Sequence, residues 1–245
     1  LSATQPMQVS AGASRCRLPD GRWRLRHGPI DLVIGADGET GAVNRAVEKT
    51  WQRFVTILAE LVTELAWLRL PVQEVPELRG SAARRMVLAT LPYCERFITP
   101  MAAVAGAVAD ELIGYFRDEP HIERAHINNG GDIALFLAPG NVYRVGMVTE
   151  IDGVKRREHN QLDGAFEVAH HLPVRGVATS GWRGRSHSLG IADAVTVLAH
   201  TAAAADAAAT MIANDVNIAD AAILRRPANT LKDDTDLGEM LVTVG

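Results

Sequence analysis

Apolar residues recur at steps of three and four between positions 43 and 68, which is the spacing of one face of an α-helix. The stripe consists of Val43, Val47, Trp51, Phe54, Leu58, Leu61, Leu65 and Leu68. A stripe of this kind packs against the core of a globular protein. It therefore predicts a long amphipathic helix and carries no information about function.

Alternation of apolar and polar residues predicts a β-hairpin before this helix. Trp23 and Leu25 alternate with polar residues in the first arm, and Ile30, Leu32 and Ile34 do so in the second. Three later stretches are also rich in strand-forming residues, which are residues 126–148, 170–200 and 231–245. The first of them is typical of a strand, a Gly-Asn turn and a second strand.

Two further helices are predicted from their composition and their caps. Thr99 is a good N-cap residue and Pro100 suits the first helical position, so a helix is expected from there to about Phe116. Residues 201–214 are rich in alanine, the best helix former, and Thr201 is the expected cap. Residues 83–93 fit no single type, and the charged segment 149–165 is expected to be exposed.

The predicted helices and strands follow one another without a regular βα alternation. This order favours an α+β fold over a doubly wound sheet. Residues 1–15 are expected to form a flexible tail. Residues 16–245 are expected to form a single domain, whose mixed strands and helices surround a central ligand cleft.

Composition excludes several classes of protein. Among 245 residues, 47% are hydrophobic, the net charge is −4 and only 5% are aromatic. The charges are interspersed, with no basic stripe, so nucleic-acid binding is not expected. Cys16 and Cys94 lie too far apart to indicate a disulfide framework or a zinc site. The absence of an apolar leader or membrane span predicts a cytoplasmic protein without a membrane partner, and we expect a homo-oligomer.

Common catalytic and nucleotide-binding motifs are missing from the sequence. It contains no GxxxxGK[ST], no GxGxxG after a strand, no HExxH and no GxSxG. The eight histidines are scattered without the spacing of metal ligands. The function must therefore be sought in less common patterns.

One such pattern is the polar stretch at residues 126–134, which reads HINNGGDIA. Two asparagines, two glycines and an aspartate suit neither a core nor a helix. The stretch is either a simple turn or a place where the backbone comes close to a ligand.

A second pattern is the pair Asp206 and Thr210 in AAAADAAAT. A spacing of four places both side chains on one face of a helix. A carboxylate and a hydroxyl, together with waters and ligand phosphates, form a normal shell for Mg²⁺. The alternative is that Asp206 is an isolated charge on an alanine-rich surface helix.

Four segments between Thr99 and Asn214 together resemble the ApbE family of flavin transferases, in its uncharacterised ApbE-like branch. They are TPMAAVAGAVADELIGYF, NNGGDI, VATSGWRGRSHS and VTVLAHTAAAADAAATMIAN. The resemblance implies a flavin nucleotide, FAD or FMN, as the bound small molecule and Mg²⁺ as the metal. It also implies the site residues that follow.

The first two segments would contact the cofactor. In the first, a helix start faces the flavin dinucleotide and would place Thr99, Ala103, Gly106 and Asp110 at the ligand. Free amides at a helix start also bind anions on physical grounds, although close helix packing explains small residues equally well. In the second segment the resemblance implies contacts from Asn129, Gly130 and Gly131, and a catalytic role for Asp132.

The last two segments would complete the site. Ser180 and Gly181 match a family Ser-Gly that contacts the cofactor, and His187 is the counterpart of the family histidine and the candidate general acid/base. The fourth segment places Asp206 and Thr210 at the metal-binding positions. The third metal ligand of the family is a backbone carbonyl, which falls at Ala102.

The sequence departs from the family pattern at two places. Ala105 occupies the position of the family lysine, and the D-P-x-T-G that should follow the histidine is missing after His187. The first departure removes a cation that would contact the cofactor. The second shortens the wall of the site.

Two hypotheses about function remain open. One is an Mg²⁺-dependent enzyme that transfers FMN, with a protein as a possible acceptor, or that cleaves a nucleotide diphosphate. The other is a non-catalytic ligand-binding or accessory module for a redox or sulfur-metabolism partner. The pair Asp206 and Thr210 favours the first hypothesis, and Ala105 favours the second.

Overall fold

The computed structural model describes residues 8–10, 12–147, 164–184, 186–233 and 235–245. The segment predicted to be charged and exposed, residues 149–165, lies outside the described residues except for its last two positions. The described part is a mixture of helices and antiparallel strands, which confirms the α+β prediction.

The strands form one large sheet and two small ones. In chain order they are β1 Gln8–Ser10, β2 Ala13–Arg17, β3 Trp23–His27, β4 Ile30–Gly38, β5 Ile122–Asn129, β6 Asp132–Leu137, β7 Val142–Met147, β8 Gly164–Ala169, β9 Gly176–Ser180, β10 Val195–Ala199, β11 Arg225–Pro227 and β12 Leu241–Thr243. The large sheet has eight antiparallel strands in the order β1-β2-β3-β4-β5-β6-β9-β10. The pairs β7–β8 and β11–β12 form two-stranded sheets.

The hairpin predicted from alternation is confirmed as β3 and β4, whose register pairs Leu25 with Leu32. Two other predictions need correction. The stretch at residues 126–148 contains parts of three strands instead of two, because the Gly130-Gly131 turn separates β5 from β6. Residues 8–10 and 13–15, expected to belong to a flexible tail, lie in β1 and β2 and extend the sheet.

The described residues contain five α-helices, which pack on this sheet and on one another. They are α1 Thr40–Thr63, α2 Leu65–Leu68, α3 Ser81–Thr90, α4 Val104–Arg117 and α5 Ala202–Asp215. The apolar stripe of residues 43–68 is confirmed as α1 with its short continuation α2. Most of residues 83–93, which fit no single type by sequence, are helical and belong to α3. Among the described helices, none is long and apolar enough to cross a membrane.

The start of α4 differs from the sequence prediction. Pro100–Ala103 form a 3₁₀ turn, and the α-helix begins only at Val104. The Thr99 side chain makes no capping hydrogen bond to the helix. Its hydroxyl donates instead to the carboxylate of Asp236, near the C-terminus of the chain.

The main core lies between the large sheet and the helices. It includes Phe54 of α1, Leu112 and Phe116 of α4, and Leu32 and Ile127 of the sheet, all fully buried. The packing of α4 on β5 and β6 fixes the helix start next to the β5–β6 turn. Residues that are distant in sequence are thereby brought to one side of the molecule.

A partly buried histidine joins the β7–β8 pair to the large sheet. Nδ1 of His126 on β5 forms a hydrogen bond with the hydroxyl of Tyr143 on β7. A Cβ on Gly35 would lie 2.3 Å from the His126 ring, so glycine is needed beside it. Burial lowers the pKa of His126 to about 4.

The low pKa of His126 predicts a loss of stability in acid. Its folded-state pKa lies below the unfolded value of 6.5, so the stabilisation is present above pH 6.5 and is lost as the pH falls towards 4. The contribution of His126 to the difference in unfolding free energy between pH 7 and pH 5 should be on the order of 2 kcal/mol, measured by urea unfolding of the wild type and of His126→Gln at both pH values. His126→Gln should reduce this difference and His200→Gln, at an exposed position, should not. An unchanged difference in His126→Gln would contradict the assignment.

Candidate functional site

Helix α5 is buried around most of its circumference, which explains its alanines. Its buried residues are Ala202, Ala203, Ala205, Ala207, Ala209, Met211 and Ala213. Only small side chains leave room for other backbones on several faces of one helix. The alternative of an isolated charge on a surface helix is therefore wrong for Asp206.

Three glycines from different segments contact the backbone of α5. A Cβ on Gly106 of α4 would lie 2.3 Å from the carbonyl oxygen of Ala202, and one on Gly176 of β9 would lie 2.1 Å from that of Thr201. A Cβ on Gly190 would lie 2.0 Å from the carbonyl oxygen of Ala213. Real side chains do not fit at such distances, so these glycines allow the chain to pack directly on α5.

Helices α4 and α5 cap each other at this contact. On α4, the Asp110 carboxylate accepts from the N–H groups of Ala202 and Ala203 at 2.9 and 2.8 Å, and Thr201 accepts from Ala204 as predicted. In the other direction, Asp206 of α5 accepts from the N–H of Gly106 at 3.0 Å, in the first turn of α4. Each carboxylate satisfies free amides and faces the positive end of the partner helix.

A cleft of about 290 Å³ opens beside the first turn of α4 and the face of α5 that carries Asp206 and Thr210. This volume lies near the lower end of the range for small-molecule sites, roughly 300–1,000 Å³. Six of the residues singled out in the sequence line it, which are Thr99, Ala102, Asp132, His187, Asp206 and Thr210. Ala105, at the position of the family lysine, lines it as well.

Three carboxylates line this cleft, those of Asp132, Asp206 and Asp236, and the first two are neighbours. Burial raises the pKa of Asp132 to about 7, and the N–H of Thr179 opposes the shift. Burial also raises the pKa of Asp206 well above its usual range, and the negative charge of Asp132 raises it further. A bound cation would relieve the repulsion between the two groups.

The oxygen groups near these carboxylates suit Mg²⁺. Thr210 follows Asp206 by one helical turn, and Ala102 lines the same cleft. Carboxylate, hydroxyl and carbonyl oxygens, completed by water, are the donors that Mg²⁺ prefers. The described residues contain no group of three or more His, Cys, Asp or Glu side chains that could hold a metal.

The loop that carries His187 is fastened to α5. Oδ1 of Asn214 accepts from the hydroxyl of Ser188 at 3.2 Å and from the N–H of Leu189 at 2.9 Å. Arg225 donates to the carbonyl of Leu189 at 2.7 Å. Within the described part of the chain, Nε2 of His187 is buried and has no hydrogen-bond partner. The histidine lining the cleft thus keeps a ring nitrogen unused.

The Asn-Gly-Gly stretch is a turn whose geometry requires glycine. Gly130 and Gly131 have φ values of 69° and 122°, and Oδ1 of Asn128 accepts from the N–H of Gly131 at 2.8 Å. Asn129 is buried, and its side chain donates to the carbonyl of Ala105 at 3.1 Å. The turn leads into Asp132, which faces the cleft, while the two glycines lie outside its lining.

Several predicted cofactor contacts lie outside the cleft lining and have structural neighbours. Ala103 is in the core, and Gly106 and Asp110 are engaged with α5. A Cβ on Gly181 would lie 2.2 Å from the carbonyl oxygen of Asp193, and the adjacent Ser180 ends β9. In each case a contact within the protein explains the residue.

Sequence reasoning did not find part of the cleft wall. Arg69, Phe97, Lys232 and Thr235 line it from loops that are far apart along the chain. No periodicity or motif connects these loops, so only the folded structure shows their proximity. A second cavity of about 220 Å³, between the β3–β4 hairpin and α1, is lined by none of the predicted site residues.

Comparison with known proteins defines the family. A family model described as AbpE bacteria matches residues 15–245. The chain belongs to this family. The predicted membership of an uncharacterised ApbE-like group is thereby confirmed.

Relatives of this AbpE chain occur in methanogenic archaea under the name UPF0280 protein. One from Methanobrevibacter smithii is 34% identical over 146 residues, covering 59% of this chain and 56% of the relative. One from Methanospirillum hungatei is 35% identical over 132 residues, covering 53% and 50%. One from Methanosarcina acetivorans is 34% identical over 191 residues, covering 78% and 67%.

The chain spans about half the length of the first two of these relatives. Their names specify neither a ligand nor a reaction. The link to flavin transfer therefore remains a prediction for this AbpE chain.

The contact between α4 and α5 predicts unequal effects of two alanine substitutions. Gly106→Ala should destabilise the protein by about 1–3 kcal/mol, because the new Cβ meets the α5 backbone. Gly114→Ala on the same helix should be neutral or stabilising by up to about 1 kcal/mol, because its Cβ meets no atom closer than 3.5 Å. Denaturant unfolding measures both. Equal stability of the two variants would show that the helices do not need glycine at their contact.

Proposed function

We propose that this protein binds a flavin nucleotide, or a related nucleotide, together with Mg²⁺ in the cleft beside α4 and α5. The proposed reaction is transfer of FMN to a protein acceptor, or cleavage at the ligand diphosphate. The observation that carries the proposal is the convergence of Asp206, Thr210, Ala102, Asp132 and His187 on one cleft. These residues come from four separate segments of the chain.

Oxygen atoms of the chain would hold the metal. The Asp206 carboxylate, the Thr210 hydroxyl and the Ala102 carbonyl are the proposed ligands, and Asp132 adds a second negative charge nearby. When bound, Mg²⁺ would neutralise negative charge on the phosphates during the reaction. The residues already present satisfy the donor preference of this metal.

His187 would act as the general acid or base of the reaction. Its Nε2 is buried, unpartnered within the described residues and on a loop fixed to α5. A general acid or base must lie within hydrogen-bond reach of the group that it serves. His187 lines the cleft and has one ring nitrogen without a partner in the described residues, which supports this role. The rigid attachment through Asn214 would hold the imidazole in place for this role.

A non-catalytic ligand-binding or accessory module is the second candidate. Ala105 lines the cleft at the position where the resemblance implies a lysine, so this wall carries no cation there. Such a module, with a redox or sulfur-metabolism partner, would bind a nucleotide without turning it over. Binding that depends on Mg²⁺ together with an observed product favours the enzyme.

The metal site predicts joint stabilisation by Mg²⁺ and nucleotide. A thermal-shift series with Mg²⁺, with FAD, FMN or ADP, and with each pair should show a larger effect for the pair than for the sum of the two. The reason is that hydrated Mg²⁺ binds weakly to one carboxylate and one hydroxyl, and tightly when phosphates complete its shell. At a ligand concentration 100 times Kd, the expected stabilisation is about 2.7 kcal/mol.

Asp206→Asn and Asp110→Asn form a matched pair for this test. Both residues accept helix-terminal N–H groups, and Asn keeps an acceptor oxygen, so each variant should keep its helix cap and fold. Only Asp206 lines the cleft, so only Asp206→Asn should lose the joint stabilisation. Loss of the effect in both variants would make Asp206 a structural residue. Absence of joint stabilisation in the wild type, with every nucleotide tried, would refute the enzymatic proposal.

A further inference from the structure

Two basic side chains line the cleft, besides the carboxylates of Asp132, Asp206 and Asp236. Arg69 follows α2, and Lys232 lies in the connection between β11 and β12. They are 163 positions apart in the numbering of the chain. Neither belongs to any segment that resembles the ApbE family, so the resemblance assigns them no role.

The loops that carry these cations are fixed to the wall of the cleft. The N–H of Val72 donates to the carbonyl of Ile98 at 2.9 Å, and the side chain of Gln73 donates to the carbonyl of Cys94 at 2.7 Å. These bonds hold the segment after Arg69 against the segment before Thr99. On the other side, the hydrogen bond between Thr99 and Asp236 holds the loop of Lys232.

With a bound cation, the charges that line the cleft suit an anion. The carboxylates of Asp132, Asp206 and Asp236 alone would repel phosphate, and a cation held by Asp132 and Asp206 would offset that effect. Arg69 and Lys232 add two positive charges from the protein itself. Each also interacts with other groups of the protein, and arginine carries five N–H donors and lysine three.

We propose that Arg69 and Lys232 form an anion subsite, which binds phosphate oxygens of the ligand in the same cleft as the metal. The ligand class is a phosphorylated compound, such as a nucleoside diphosphate or a flavin nucleotide. The corresponding nucleoside or riboflavin, which lacks phosphate, would gain nothing from this subsite. The inference rests on the proposed function for the identity of the ligand, and on the lining of the cleft for the two residues.

Calorimetric titration of the full chain with inorganic pyrophosphate, ADP and adenosine, each with and without Mg²⁺, tests the subsite. Arg69→Gln and Lys232→Gln should each weaken binding of ADP and pyrophosphate at least about tenfold, because each removes a charge-assisted hydrogen bond. Binding of adenosine should not change. Arg96→Gln is the matched control, since Arg96 lies next to Phe97 in sequence, is exposed and does not line the cleft.

The variants separate failure of this inference from failure of the proposed function. If Asp206→Asn abolishes Mg²⁺-dependent binding of ADP while Arg69→Gln and Lys232→Gln bind ADP like the wild type, the subsite is wrong and the proposed function stands. If pyrophosphate binds without Mg²⁺ and both Gln variants lose it, the subsite is right and the metal is not required. If the wild type binds no phosphate compound under either condition, both proposals fail. Lys232 is exposed, so Lys232→Gln keeps the test valid even if Arg69→Gln does not fold.

Discussion

The close contact between the first turns of α4 and α5 is the constraint on which the rest of the site depends. Gly106 lets the two backbones touch, and each helix sends a carboxylate to the free amides of the other. Unpaired amides at buried helix starts are costly, so this exchange stabilises both helices in one relative position. Both carboxylate oxygens of Asp110 accept hydrogen bonds in this contact, whereas Asp206 also lines the cleft.

The remaining walls of the cleft are attached to the same pair of helices. Asn129 fastens the β5–β6 turn to α4, and Asn214 fastens the His187 loop to α5. Asp132 and His187 are therefore located relative to Asp206 by hydrogen bonds and not by loop conformation alone. These hydrogen bonds keep the side chains that line the cleft in a fixed relative position.

The cleft combines groups that are unfavourable without a ligand. Burial and mutual repulsion raise the pKa values of Asp132 and Asp206, and His187 has a buried nitrogen without a partner in the described residues. Perturbed ionisable groups in a cleft are common at functional sites, and structural ion networks can also produce them. Asp206 has a visible structural role, because it accepts from an N–H group in the first turn of α4. The variants Asp206→Asn and Asp110→Asn separate this role from metal binding.

The sequence alone determined the local structure and the candidates for chemistry. Periodicity located α1 and the β3–β4 hairpin, composition located α5, and a four-residue spacing placed Asp206 and Thr210 on one helix face, because these features depend on neighbours in the chain. Tertiary structure decided which candidates meet. It placed Asp132 and His187 beside Asp206, assigned Gly106 and Asp110 to helix packing, and added Arg69 and Lys232. Such contacts join residues far apart in sequence, and their only cause is the packing of the folded chain.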